Sequence, residues 1–280
     1  MYQEILIATD GSELASVAAE QGLAVAEQLG ANVHVLSIID DGSHSGGVRD
    51  HRRDDFREAV ERVADSAAER DVVAETAVRN GRPHREILAY ADEHTVDLLV
   101  LGTHGRTGVR RWILGSVATS VLRESRRPVL TVSTTATDIP RRFDDVLVAT
   151  DERHGADGAI DHGIALAEAY GATIHALYVV DDTVSRLPAV LEEFERQGSR
   201  ATATVETRAA TRGLDTIRAI ERGVPHSEIV EYADARSIDL LVVGTEGRTG
   251  LDRLAFGSVS QRVVGSASVP VLTVRSVEER

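Results

Sequence analysis

Residues 81–108, GRPHREILAYADEHTVDLLVLGTHGRTG, return at 223–250 as GVPHSEIVEYADARSIDLLVVGTEGRTG, an offset of 142. The correspondence runs downstream to PVLTV, at 128–132 and 270–274, and upstream to ILIATD (5–10) and VLVATD (146–151). A chain of 280 residues repeating itself in this way holds two copies of about 140, each the size of an ordinary domain. A solenoid would need shorter and more numerous repeats. The boundaries implied are a first domain at 1–134, a polar linker at 135–141 and a second domain at 142–280.

Within each copy, apolar runs of strand length alternate with helical periodicity. In the first, Glu4–Thr9 reads as a buried strand, and Ser12 caps a helix carrying Leu14, Val17, Ala18 and Val25 until Gly30. Asn32–Ile39 is a second strand, followed by a Gly/Ser/His loop at 41–47 and a charged helix at Asp54–Arg70. Strand Val72–Val78, a helix opened by Pro83, strand Asp97–Leu101, a helix from Ser116 and strand Pro128–Val132 complete the copy. Continuous Val/Ile/Leu strands between helices predict an α/β fold of two tandem doubly wound domains. Each is read as a five-stranded parallel sheet with helices on both faces, its strand order taken as 3-2-1-4-5, a doubly wound arrangement.

Both copies satisfy G-x2-G-x9-G-S, as Gly102, Gly105 and Gly115-Ser116 and as Gly244, Gly247 and Gly257-Ser258. The first glycine sits where the fourth strand leaves the sheet, where a missing side chain permits close backbone approach and positive φ. The closing Gly-Ser opens a helix whose free N–H groups and positive dipole end form an anion site. In the predicted strand order, ligands bind at the switch point between strands one and four. There the first strand ends in Asp10 or Asp151, an acceptor for an adenine edge or a ribose hydroxyl. The bland alternatives are ordinary turn chemistry for the glycines and a helix-capping role for Asp10.

Charge and composition remove several function classes. Acidic residues number 45 against 31 basic ones, a net charge of −14, so no cationic surface is available for nucleic acid. All the basic residues are arginine; without lysine a Walker A loop is impossible. Without cysteine there are no disulfides or thiolate sites, and the histidine spacing gives no sign of a metal centre. No apolar run reaches membrane-spanning length and no leader is evident, so a cytoplasmic protein is expected. The acidic, lysine-free composition also suggests a halophilic source.

The motifs ATDGSE (8–13), LSIID (36–40), GTHGRTG…GSV (102–117) and RPVLTV (127–132) resemble those of the universal stress protein family, in its ATP-binding branch. So do ATD (149–151), YVVD (178–181), GTEGRTG…GSV (244–259) and VPVLTV (269–274) in the second copy. The resemblance implies ATP, with Mg²⁺ carried by the nucleotide. Asp10 and Ile38 would meet adenine, while Gly102, Gly105, Gly115, Ser116 and Val117 would hold ribose and phosphates. Asp151, Val179, Gly244, Gly247, Gly257, Ser258 and Val259 are the matching positions of the second copy. It also implies domain pairing through the fifth strand, hence an internal pseudo-dimer of the two copies, with a homodimer of chains open.

The second copy replaces Gly11-Ser12 by Glu152-Arg153 and His104 by Glu246, adding negative charge beside the expected phosphates. The first site is therefore expected to bind ATP more tightly. The favoured function is a nucleotide-dependent stress-response module acting on an unidentified protein partner, with at most slow ATP hydrolysis because no general base stands out. Two alternatives remain: an adenine-nucleotide-using enzyme, such as an adenylate-forming one, and an interaction scaffold that binds no nucleotide.

Overall fold

The computed structural model describes residues 2–40, 46–104, 114–133, 140–151, 156–184, 187–245 and 257–275. The chain divides into two compact units, Met1–Thr134 and Thr135–Arg280. In the first, the elements run β1 (Glu4–Ala8), α1 (Glu13–Leu29), β2 (Asn32–Ile39), α2 (Gly46–Ala68), β3 (Ala74–Asn80), α3 (Pro83–Glu93), β4 (Leu98–Gly102), α4 (Ser116–Glu124) and β5 (Val129–Val132). The strands pair in parallel in the order β3-β2-β1-β4-β5. Register places Ile7 opposite both Val35 and Val100, so the carboxyl ends of β1, β2 and β4 open on the same edge.

The second unit repeats this with β6 (Asp145–Ala149), α5 (Ala156–Tyr170), β7 (Thr173–Val180), α6 (Pro188–Ala210), β8 (Thr216–Arg222), α7 (Pro225–Ala235), β9 (Leu240–Gly244), α8 (Ser258–Ser266) and β10 (Val271–Val274). Its parallel order is β8-β7-β6-β9-β10. The predicted 3-2-1-4-5 order thus stands in each unit. The core lies along the central strands: Ile5, Leu6 and Ile7 in one unit, and Val146, Leu147 and Val148 in the other, are wholly buried.

The aspartate of each Asp-Leu-Leu-Val run has a structural role. Asp97 Oδ2 accepts from the backbone N–H groups of Gln3 (2.7 Å) and Glu4 (3.0 Å), tying the start of β1 to the start of β4. Asp239 does the same for Asp144 (2.7 Å) and Asp145 (2.9 Å). A carboxylate gripping two amides pins the register of the two central strands.

Several element ends differ from the sequence reading, three of them with a clear physical reason. α2 begins at Gly46 rather than Asp54, because its first two turns, GGVRDHRR, carry no apolar period to announce them. β3 runs two residues later than expected: Val72 is buried in the connection while Val73 is exposed, and pairing with β2 begins at Ala74. β5 starts after Pro128, whose carbonyl accepts from Leu99 although proline has no N–H to give. The linker at 135–141 lies mostly outside the described residues.

Candidate functional site

The carboxyl edge of each sheet gathers the junctions singled out from the sequence. In the first unit β1 leads through Thr9 and Asp10 into α1. Ser12 is the N-cap of that helix, its hydroxyl accepting from Ala15 N at 3.3 Å. Asp10 Oδ1 accepts from Ser12 N at 3.0 Å, closing a turn made possible by Gly11 at φ 75°. The capping role is therefore filled by Ser12, and the Asp10 carboxylate stands half-buried at the strand end. Leu14, in the first turn of α1, packs on Gly102: a Cβ on that glycine would lie 3.1 Å from Leu14 Cγ.

Gly115 returns to the same place. Its N–H donates to Thr103 O at 2.8 Å, and a Cβ there would approach that carbonyl to 3.0 Å. Gly115 then serves as N-cap of α4 at φ −60°, with no side-chain hydrogen bond to the cap, so Ser116 and Val117 begin the helix with their amides unserved by a capping side chain. The second unit matches this at Gly257 (φ −58°), Ser258 and Val259 on α8. One point of the sequence reading is corrected here: Gly102 and Gly244, where positive φ is expected, do not adopt it. At Gly115, and at Gly102 beneath Leu14, what forbids a side chain is close packing rather than a left-handed backbone. Gly105 and Gly247 lie outside the described residues, as do Glu152, Arg153 and Glu246.

A cleft of about 470 Å³ opens in the second unit over the ends of β6, β7 and β9. Of the candidate residues, Asp151, Val179, Gly244 and Val259 line it. Gly257 and Ser258 precede Val259 at the helix start. Sequence reasoning missed Tyr178 and Phe194, which give the cleft an aromatic wall, and Thr150 and Ser260. Ser260 Oγ donates to Gly244 O at 2.7 Å, stitching the first turn of α8 to the end of β9. Thr150 Oγ1 is buried and has no hydrogen-bond partner among the described residues. Its counterpart Thr9 Oγ1 accepts from Gly11 N at 3.2 Å.

The two edges differ in how they fill the space beside the second strand. Ser37 in β2 is fully buried and donates to Thr9 O at 2.7 Å. The equivalent of Ser37 is Tyr178, whose ring lies where a Cβ on Gly198 would come within 2.6 Å. The position matching Gly198 in α2 is Phe56, itself buried. An aromatic ring thus comes from the helix in one copy and from the strand in the other. Neither the serine-for-tyrosine change nor the phenylalanine-for-glycine change signals this alone; only the pair does. Beside the cleft-lining Ile229, burial, then Glu231, Glu221 and Asp182, raise the Glu228 carboxyl above its ordinary range. His226, next to the cleft-lining Pro225, is held below the usual imidazole value by burial and then by the Arg262 charge.

The universal stress protein family matches the chain twice, over residues 1–133 and 142–275. A universal stress protein of Methanocaldococcus jannaschii is 35% identical over 140 residues, covering 48% of this chain and 82% of its own length. One from Mycolicibacterium smegmatis is 28% identical over 244 residues, 84% of this chain and 81% of the relative. Among solved structures, a universal stress protein from Archaeoglobus fulgidus superposes with a TM-score of 0.77 at 23% identity, covering 98% and 97% of the two chains. That last similarity extends the two-unit fold over nearly the whole chain.

Proposed function

The chain belongs to the universal stress protein family, and from that premise we propose that it binds an adenine nucleotide at the carboxyl edge of each sheet and changes its dealings with a protein partner according to nucleotide state. The observation that carries this reading is the cleft of about 470 Å³ over β6, β7 and β9, of a size suited to a small organic ligand. It lies where the strand order reverses, the place where open α/β sheets receive ligands. It combines an apolar wall (Tyr178, Val179, Phe194), a carboxylate at a strand end (Asp151), an unspent buried hydroxyl (Thr150) and an adjoining helix start free of a side-chain cap. These fit, in turn, a base, its hydrogen-bonding edge or ribose, and a phosphate chain.

In this reading Val179 and Ile38 flank the base, Asp151 and Asp10 accept from its edge or from ribose, and the amides at Gly257–Val259 and Gly115–Val117 hold phosphate. Gly102 and Gly244 keep the strand ends bare, and Mg²⁺ arrives with the triphosphate. The first site is the tighter one in this reading, since the second copy's sequence has Glu152 for Gly11 and Glu246 for His104.

Calorimetric titration of ATP into the nucleotide-stripped protein tests the proposal. Two binding steps are expected. Asp151→Ala and Asp10→Ala should each weaken one step about tenfold or more, as loss of a hydrogen bond to a charged group worth roughly 1.5–3 kcal/mol requires. Asp10→Ala should weaken the tighter step and Asp151→Ala the looser one. Absence of heat, together with no nucleotide in acid extracts of freshly purified protein, would leave an empty scaffold. Steady ADP or AMP release, followed by chromatography, would make the protein an enzyme instead.

A further inference from the structure

At the opposite, amino-terminal edge of the first sheet, His34, Glu75 and His94 come from β2, β3 and the end of α3, with one potential ligand atom of each within 4.8 Å of the others. Nothing in their sequence separation announces this. His34 is buried, and its Nε2 lies 3.0 Å from Glu4 Oε2. A carboxylate on Nε2 fixes the proton there and turns Nδ1 into the lone-pair nitrogen, the arrangement that prepares a histidine for a metal. That Nδ1 lies 3.2 Å from the Tyr90 hydroxyl and 3.8 Å from Glu75 Oε2. His94 is placed by its backbone N–H bond to Tyr90 O and by its ring, stacked on Tyr90 at 4.0 Å and 18°. Its ring centroid is 5.1 Å from that of His34. The neighbouring cation, Arg79, stands over the Tyr90 ring at 4.5 Å and is paired with Glu93.

The second unit supplies an internal comparison. His175 repeats the buried frame, with Nε2 at 3.0 Å from Asp145 and Nδ1 at 3.0 Å from the Tyr232 hydroxyl. The frame is therefore structural in both copies. The second copy, however, has Ile217 where the first has Glu75, and Arg236 where it has His94. Arg236 lies over Tyr232 at 5.5 Å, in place of the stacked histidine. Only the first copy adds two further ligands to the frame.

We propose that His34, Glu75 and His94 form a binding site for a divalent transition metal of the Zn²⁺ class. Two imidazoles and one carboxylate suit Zn²⁺ and exclude a preference for Mg²⁺ or Ca²⁺, which take oxygen ligands. Three protein ligands leave a fourth position, which the exposure of Glu75 places in reach of water. On binding, the Tyr90 hydroxyl gives up Nδ1 to the metal while Glu4 keeps Nε2. This site is remote in kind and place from the carboxyl-edge clefts, and it stands whether or not nucleotide binds there.

Titration of metal-free, tag-free full-length protein with Co²⁺, read by visible absorption, and with Zn²⁺, read by calorimetry, provides the test. One equivalent is expected, with Zn²⁺ displacing Co²⁺. The double variant Glu75→Ile/His94→Arg places the second copy's residues in the first copy's frame. It should keep its circular dichroism and lose that equivalent. Glu4→Gln should bind about 10–100-fold more weakly, as removal of a carboxylate behind a ligating histidine does. Failure to saturate at one equivalent, or an unchanged equivalent in the double variant, would overturn the proposal.

Discussion

His162, half-buried in α5, couples its titration to stability. Burial lowers its pKa, outweighing the opposing pull of the Asp161 carboxylate. The folded form therefore resists protonation that the unfolded chain accepts at about pH 6.5. Stability from this residue is complete above that value, declines as pH falls through it and levels off below the folded pKa. Denaturant midpoints at pH 7.5 and 5.5 should differ less for His162→Gln than for the parent protein; an equal difference would refute this. At the same scale, sequence showed Asp10, Asp151 and the helix-opening Gly-Ser pairs, because strand ends and helix starts carry local chemistry. It did not show Thr150, Tyr178 or Phe194 as cleft residues, since their roles depend on what packs opposite them.

Among the elements, α1 and α5 approach their sheets through matched glycines. A Cβ on Gly163 would fall 2.7 Å from Val148 Cγ2, whereas one on Gly22 would meet Ile7 Cδ1 at 2.9 Å. The Ile7 Cδ1 tip can turn about χ2, and the remaining contacts of Gly22, Ile7 Cγ1 at 3.0 Å and Val100 Cγ1 at 3.2 Å, are looser than the 2.7 Å approach to Val148. The β-branched Val148 side chain has no such tip to move. Gly163→Ala should thus destabilise by about 1–3 kcal/mol, the usual range for overpacking. Gly22→Ala should stay within about 1 kcal/mol of the parent, because alanine's helix propensity offsets a smaller clash. Urea unfolding of both variants checks the ordering. Element identity was readable from periodicity throughout; the start of α2 and the shift of β3 were not, because charged turns and connecting valines carry no period.

Over the whole molecule, 45 carboxylates face 31 arginines, and the described ion pairs are mostly exposed, as with Arg208 against Asp157 and Asp161. Exposed pairs contribute little, whereas a net charge of −14 repels itself over distances that salt shortens from about 30 Å at 0.01 M to about 3 Å at 1 M. The thermal midpoint should rise as NaCl increases across that range, and a flat or falling midpoint would remove the basis for a halophilic reading. None of the described helices is long and apolar enough to cross a membrane.

The sequence alone determined the duplication, the alternation of strand and helix and the placing of glycines and aspartates at strand ends and helix starts. These follow from spacing along the chain, and spacing is what a sequence records. Only the tertiary structure decided that Gly102 and Gly115 serve close packing, that Tyr178 fills the space beside Gly198, and that His34, Glu75 and His94 meet. Those facts depend on which side chains the parallel register and the helix docking bring face to face, and no local pattern encodes a distance between residues so far apart in the chain.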